Sequence, residues 1–268
     1  MRIKKLLLRI ESQFVRLKLN HNELANSLSR DQRDVLTLKN IESVIENRKK
    51  HPSISAVYRV RNGSQYIELS IISVAPICSE IIIVDNGSTD GTLEIVKRLK
   101  DELSSICDIK IFHYNSSVAL AGKGYRDEVE KYPERSLAKY YNYAFSLASC
   151  EYVMKCDAHC IYTPAGINKI QSKIINLYKT NNLFTFRGVE IFGGLLSCEP
   201  YLIKKGCFEY YDSDTFELLK LKFKRSFKQR IMGRISTPCF IHVKRMSYVK
   251  YAFKKESTPI KYLYSKGE

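Results

Sequence analysis

From Ser53 onward, short apolar runs alternate with longer amphipathic stretches. Ile54 to Val60 reads as a strand, and 64–77 as a helix despite its β-branched content. Glu80 to Asp85 is a second strand, followed by a helix over 91–103 opened by Ser88-Thr89-Asp90. Ile109 to Tyr114 reads as a strand, 133–149 as a helix and Tyr152 to Cys156 as a strand. Thr163-Pro164 then opens another helix, with proline suited to the first turn. Strands alternating with helices predict an α/β fold, a mostly parallel central sheet with helices on both faces. The polar stretch 115–134, with Gly122-Lys123-Gly124, reads as a long loop of the kind that often carries function. Gly-Lys-Gly lacks the rest of a phosphate-binding P-loop.

The first fifty residues follow a different rhythm. Ile3, Leu7, Ile10, Phe14, Leu17, Leu24 and Leu28 form one helical stripe, flanked by Arg2, Lys4, Lys5, Arg9, Arg16 and Lys18. Such a helix packs on its own domain or a partner chain, forms a short coiled coil, or lies on an anionic leaflet. His51-Pro52-Ser53 breaks the pattern. The expected organisation is an N-terminal amphipathic segment over 1–50 and a main domain over 51–268. Arg9, Glu11 and Arg16 interrupt the opening apolar run, and no small-residue cleavage site follows, so a cytoplasmic protein is expected. No run approaches the roughly 18 uninterrupted apolar residues of a membrane span.

Two apolar runs stop abruptly at acidic residues, and open α/β sheets bind ligands at such carboxyl ends of strands. Asp85-Asn86-Gly87-Ser88-Thr89-Asp90 follows Ile81-Ile82-Ile83-Val84. Its first carboxylate can accept hydrogen bonds from a ribose or base, Gly87 permits a tight turn, and Ser88 or Asp90 can cap the next helix. Asp157-Ala158-His159 follows Tyr152-Val153-Met154-Lys155-Cys156. A carboxylate and an imidazole at i and i+2 can grip one divalent ion, and this donor pair suits Mn2+ better than Ca2+. An ordinary capped turn and a polar strand end are the alternatives for each segment taken alone. The eight cysteines form no CxxC pair and read as reduced thiols. A zinc site from Cys156, His159 and Cys160 has poor ligand spacing.

The net charge of +16 is unevenly placed: from Leu218 to Lys255 there is no acidic residue. That basic stretch would attract a polyanion such as nucleic acid, an anionic membrane surface or a phosphorylated substrate.

In order and spacing these features resemble family 2 glycosyltransferases and, more broadly, the nucleotide-diphospho-sugar transferase (GT-A) fold. The resemblance covers about residues 53–180 and rests on four segments: Ser55 to Asn62, Val84 to Thr92, Ser136 to Ala144, and Glu151 to His159 with Pro164 beyond. It implies a nucleotide and metal half over 53–180 and an acceptor half over 181–268. Asp85 and Asn86 would contact the nucleoside, Lys139 or Asn142 the donor, and Asp157 and His159 a Mn2+ or Mg2+ ion on the donor diphosphate. Asp-x-His departs from the family's usual Asp-x-Asp. His242 would be a late third metal ligand. The base that deprotonates the acceptor hydroxyl would lie among Glu199, Glu209, Asp212, Asp214 and Glu217, with Asp212 or Asp214 favoured.

The function so implied is an inverting, metal-dependent, hexosyltransferase-type reaction from a nucleotide-sugar, a UDP-sugar in first place. The acceptor would be a surface polysaccharide or lipid-linked glycan at the inner face of the membrane. Two rivals stand beside it: an inactive glycosyltransferase-like scaffold and a basic nucleic-acid-binding protein. The latter leaves both strand-end motifs unexplained.

Overall fold

The computed structural model describes residues 39, 41–191 and 194–243. The apolar stripe over 1–28 and the basic residues beyond Val243 lie outside the described residues, while 41–47 is helical. Ten strands follow: β1 Ile54–Val60, β2 Glu80–Asp85, β3 Asp108–His113, β4 Tyr152–Cys156, β5 Cys160–Tyr162, β6 Leu183–Glu190, β7 Glu199–Lys204, β8 Phe208–Asp212, β9 Glu217–Leu221 and β10 Arg234–His242. Between them lie six helices: α1 Ile67–Val74, α2 Thr92–Glu102, α3 Tyr125–Lys131, α4 Leu137–Ser146, α5 Pro164–Leu177 and α6 Phe227–Met232.

Eight strands form one sheet in the order β3-β2-β1-β4-β7-β6-β10-β5, and β8-β9 is a separate hairpin. The pairings among β3, β2, β1 and β4 are parallel, as is β6 with β10. β7 is antiparallel to both β4 and β6, and β5 is antiparallel to β10. The sheet is therefore parallel in its first half and mixed in its second. Because β7 reverses direction twice over, β1, β2, β4, β6 and β10 all end on the same edge. Asp85, Asp157, Glu190 and His242 share that edge.

Both faces of the sheet are covered, which explains why β2 reads as a continuous apolar run rather than an alternating one. Ile81 and Ile83 belong to the core cluster on one face, which also holds Ile71 of α1, Val96 and Leu99 of α2, and Ile170 and Ile174 of α5. Ile82 and Val84 point the other way, onto Ala138, Ala144 and Phe145 of α4. Two sequence expectations need adjustment. The loop over 115–134 contains α3, of which only Tyr125 and Val129 are buried, too few for a visible period. The helix expected from Pro133 begins with a 3-10 turn, and α4 proper starts after Ser136, whose side chain accepts from the Lys139 amide.

One buried carboxylate ties the far end of the sheet. Glu80 accepts from Ser55 Oγ at 2.5 Å, Lys110 Nζ at 2.5 Å, Ser149 N at 2.9 Å and Ser149 Oγ at 2.7 Å. Burial opposes its charge, but these donors outweigh it and pull the carboxyl down from 4.5 to about 2. A depressed carboxyl stabilises the fold fully above its unfolded value and loses that contribution as pH falls toward the folded one. Stability in acid denaturation series should therefore decline from about pH 4.5 toward pH 2. Glu80→Gln should be less stable at pH 7 and flatter through that window; an unchanged slope would remove Glu80 as its source.

Candidate active site

The first cluster is built where β1, β2 and β3 finish side by side. Asp85 is 2% exposed, and its carboxylate accepts the amides of Gly87 at 3.0 Å and Ser88 at 3.2 Å. Gly87 turns the chain with φ of 75°, in the left-handed region that suits glycine. His113 Nδ1 lies 3.8 Å from the same carboxylate. Asn86 donates from Nδ2 to the carbonyls of Tyr114 at 2.9 Å and Ser116 at 2.8 Å, fixing the exit of β3. Across the gap, the Asn62 amide donates to Ser88 Oγ at 2.9 Å, and the Thr89 amide to Asn62 Oδ1 at 2.8 Å. The motif Asp85 to Asp90 thus cross-ties two strand ends. Between them opens a cleft of about 300 Å³ lined by Arg61, Asp85, Asn86, His113, Tyr114 and Asn115.

The second cluster forms at the ends of β4 and β10. The Cys160 amide donates to the Asp157 carbonyl at 3.0 Å, closing a turn that presents His159. His242 pairs with Cys160 across β10 and β5, and the Val243 amide donates to the His159 carbonyl at 2.9 Å. The rings of His159 and His242 meet edge to face, with centroids 4.7 Å apart. His242 Nδ1 lies 3.1 Å from Glu190 Oε2. A carboxylate on one imidazole nitrogen orients the ring and directs the other nitrogen outward, as metal-binding histidines require. The possible ligand atoms of His159, Cys160 and His242 all lie within 4.8 Å of one another.

Asp157 faces a group that sequence reading missed. Arg59 Nη2 lies 2.9 Å from Asp157 Oδ1, and the arginine side chain is only 3% exposed. Its guanidinium is 4.0 Å from the ring centroid of Tyr141 and 5.2 Å from that of Phe145. Burial works against its charge, but the surrounding groups and Asp157 hold its pKa above the ordinary arginine value. Nη1 has no hydrogen-bond partner among the described residues. In sequence, Val57-Tyr58-Arg59-Val60-Arg61 looks like a strand with two exposed basic positions. The aromatic cover from α4 makes the first of them buried.

His159 and His242 offer two imidazoles that suit a divalent ion such as Mn2+. Asp157 is not in the group whose donor atoms converge, and its Oδ1 pairs with Arg59. Burial pushes the Cys160 thiol well above its ordinary value, and the Cys156 thiol to about 12. Both sulfurs belong to the apolar core. The sequence's Cys156–His159–Cys160 set is not the one brought together: the converging donors are those of His159, Cys160 and His242, and Cys156 lies outside them.

The remaining sequence candidates fall on or near the β8–β9 hairpin. Asp212 accepts from Ser136 Oγ at 2.6 Å, the Ala138 amide at 3.1 Å and the Tyr125 hydroxyl. It thereby anchors the hairpin to the start of α4. Asn142 exchanges two bonds with the Tyr210 backbone, each 2.8 Å, docking the same hairpin farther along α4. Lys139 is exposed on α4. Asp214 sits exposed in the hairpin turn, and Glu209 pairs with Lys220 at 3.2 Å. Glu199 lies 3.7 Å from Lys155. Glu217, half-buried in β9, lies near Tyr141, the ring that covers Arg59.

Polar and charged groups gathered at the carboxyl edge of an open, mostly parallel sheet define an α/β protein of the doubly covered class. Residues 55–123 match the family model described as Glycosyl transferase family 2, a span that holds β1 to β3 and the start of the polar stretch after them. No curated protein matches the sequence. Among solved structures, S. aureus TarS 1-349 is similar at 12% identity, over 74% of this chain and 62% of that one, with a TM-score of 0.47. Glucosyl-3-phosphoglycerate synthase from Mycobacterium tuberculosis, in complex with Mg2+ and uridine-diphosphate, is similar at 16% identity over 57% of this chain and 48% of that one, with a TM-score of 0.36. The chain thus spans less than two thirds of either protein.

Proposed function

We propose that this protein transfers a sugar from a nucleotide diphosphate donor, a UDP-sugar in first place, to a hydroxyl of a polysaccharide or lipid-linked glycan. One observation carries the reading: the cleft holding Asp85 and Asn86 lies inside the segment matched to family 2 glycosyl transferases, at the carboxyl ends of parallel strands. Arg61, Asp85 and Asn86 would line the nucleoside site, with Asn86 shaping its wall. Asp157, His159 and His242 would hold a Mn2+ or Mg2+ ion, which when bound supplies charge neutralisation for the departing diphosphate. Arg59 aligns Asp157 for that role, and Glu190 aligns His242. The acceptor base would come from the β8–β9 hairpin. Asp212 is engaged by three donors in anchoring it, so we assign the base to Glu217, with Asp214 as the other candidate. The expected stereochemical course is inversion.

The test is release of nucleotide from a panel of sugar-nucleotides with titrated Mn2+. His242→Ala should raise the Mn2+ needed for half-maximal turnover by roughly 10–100-fold. Glu217→Gln should lower turnover by about 100-fold or more. Unchanged metal dependence would remove His242 from the ligands, and full turnover by Glu217→Gln would move the base to Asp214. Among the described residues no helix is long and apolar enough to cross a membrane.

A further inference from the structure

The helix α6 contributes nothing to the core: none of its residues is buried. Its apolar side chains nevertheless point outward, with Phe227 79% and Ile231 57% exposed and Met232 beside them at 38%. Phe227 and Ile231 are four residues apart and so lie on one helical face. Around them, from Lys222 to Arg234, stand Lys222, Lys224, Arg225, Lys228, Arg230 and Arg234, without an acidic residue. Glu209 compensates Lys222 at 3.6 Å. Burial, and then the charge of Arg230, draw the Arg225 guanidinium below its ordinary value. The basic rim continues into a groove of about 770 Å³ between α5 and β10, whose lining includes Lys169, Lys173 and Arg234 and no carboxylate.

This short helix is held in place. Ser226 and Gln229 form a reciprocal capping box. Gln229 Nε2 donates to the Thr180 carbonyl at 2.7 Å, and Arg225 Nη2 to the Leu183 carbonyl at 3.1 Å. The polar side of the helix is thereby bonded to the domain, and the apolar side is presented rigidly to the outside.

We propose that α6 and its basic collar form a docking surface for an anionic lipid bilayer, with Phe227 and Ile231 entering the headgroup boundary. An aromatic and a β-branched side chain inside a ring of lysine and arginine match the two components of such a surface, apolar insertion and attraction to negative headgroups. A nucleic acid would use the charge but leave Phe227 and Ile231 without an apolar partner. The docking surface stands independently of the sugar-transfer reading; its consequence rests on that reading. β10 begins beside α6 and ends at His242, so docking surface and candidate site lie at opposite ends of a nine-residue strand, about 26 Å apart at ~3.3 Å per residue. A bilayer held by α6 leaves the site facing away from it. The acceptor hydroxyl would then belong to the distal end of a long glycan rather than to a sugar next to its lipid.

The experiment is flotation of the full chain with vesicles of phosphatidylcholine alone or with 30 mol% phosphatidylglycerol (roughly a bacterial-type negative surface), for the wild type and Phe227→Ser/Ile231→Ser. Binding is expected on the anionic vesicles alone, weakened by 0.5 M salt (a Debye length of only about 4–5 Å) and reduced at least about tenfold in the double variant. Melting temperature and nucleotide-dependent stabilisation should be unchanged, since both side chains are exposed. Equal binding by the double variant would overturn the proposal. So would binding to a DNA duplex tighter than to the anionic vesicles, or a dimer that dissociates in the double variant without any vesicle binding. Loss of nucleotide binding in the wild type would instead defeat the sugar-transfer reading and leave the docking surface intact.

Discussion

Asp157→Ala is expected to lower sugar transfer by at least about 100-fold and to destabilise the fold by about 2–3 kcal/mol. The stability loss follows from Arg59, whose side chain is 3% exposed and pairs with Asp157 at 2.9 Å. Breaking a fully buried pair costs about 3–5 kcal/mol, mostly because one charge is left buried alone. Asp157 keeps 28% of its side-chain exposure, so water relieves part of that cost. A second substitution separates the two effects. Arg59→Met in the Asp157→Ala background places an apolar chain against Tyr141 and Phe145, where the guanidinium now stacks. The double variant should regain most of the lost stability in urea denaturation and none of the lost transfer. Transfer at the wild-type rate in Asp157→Ala would end the assignment of Asp157 to the reaction. Equal stability of wild type and single variant would mean that Arg59 is compensated elsewhere.

The second large effect lies at the packing of α5 on β10. A Cβ on Gly166 would sit 2.1 Å from the Cys239 carbonyl oxygen and 2.5 Å from its Cα. These are backbone atoms, so no rotamer change relieves the contact, and either the helix or the strand must move. The same carbonyl accepts the Thr163 amide at 3.0 Å, and Thr163 caps α5. Gly166→Ala should therefore cost about 3 kcal/mol, the upper part of the overpacking range, and lower the melting temperature by about 6–12 °C. Because Cys239 and His242 share β10, the variant should also need more Mn2+ for turnover. A melting temperature within a degree or two of the wild type would show that the contact relaxes without disturbing β10.

Much of this arrangement was legible in the sequence because the first half of the domain is locally consistent. β2 matches the predicted Glu80 to Asp85 run, since a strand covered on both faces has an apolar interior and here ends at Asp85, whose carboxylate the turn amides hold. Thr163-Pro164 marked the start of α5 through chemistry confined to one helical turn. His159 and His242, named together in the sequence and 83 positions apart, have rings 4.7 Å apart, while Asp157, named with them, pairs with Arg59 instead. What escaped depends on contacts distant in sequence. Arg59 is buried by Tyr141 and Phe145, which no pattern within β1 announces. Asp212 and Asn142 looked like chemistry because they are polar residues near expected positions. Their partners, Ser136 and Ala138 for one and the Tyr210 backbone for the other, show that they join the hairpin to α4. The helix α3 was hidden because its two buried side chains are too few to set a period.

The central claim is that the edge holding Asp85, Asp157, His159 and His242 binds a nucleotide together with a metal. Calorimetric titration of UDP, GDP, CMP and dTDP into the full chain, with and without Mn2+, tests it most directly, with Asp157→Asn as the matched comparison. One nucleotide should bind, Mn2+ should tighten it at least about tenfold, and Asp157→Asn should remove most of the metal's effect. Binding of no nucleotide under either condition would contradict it.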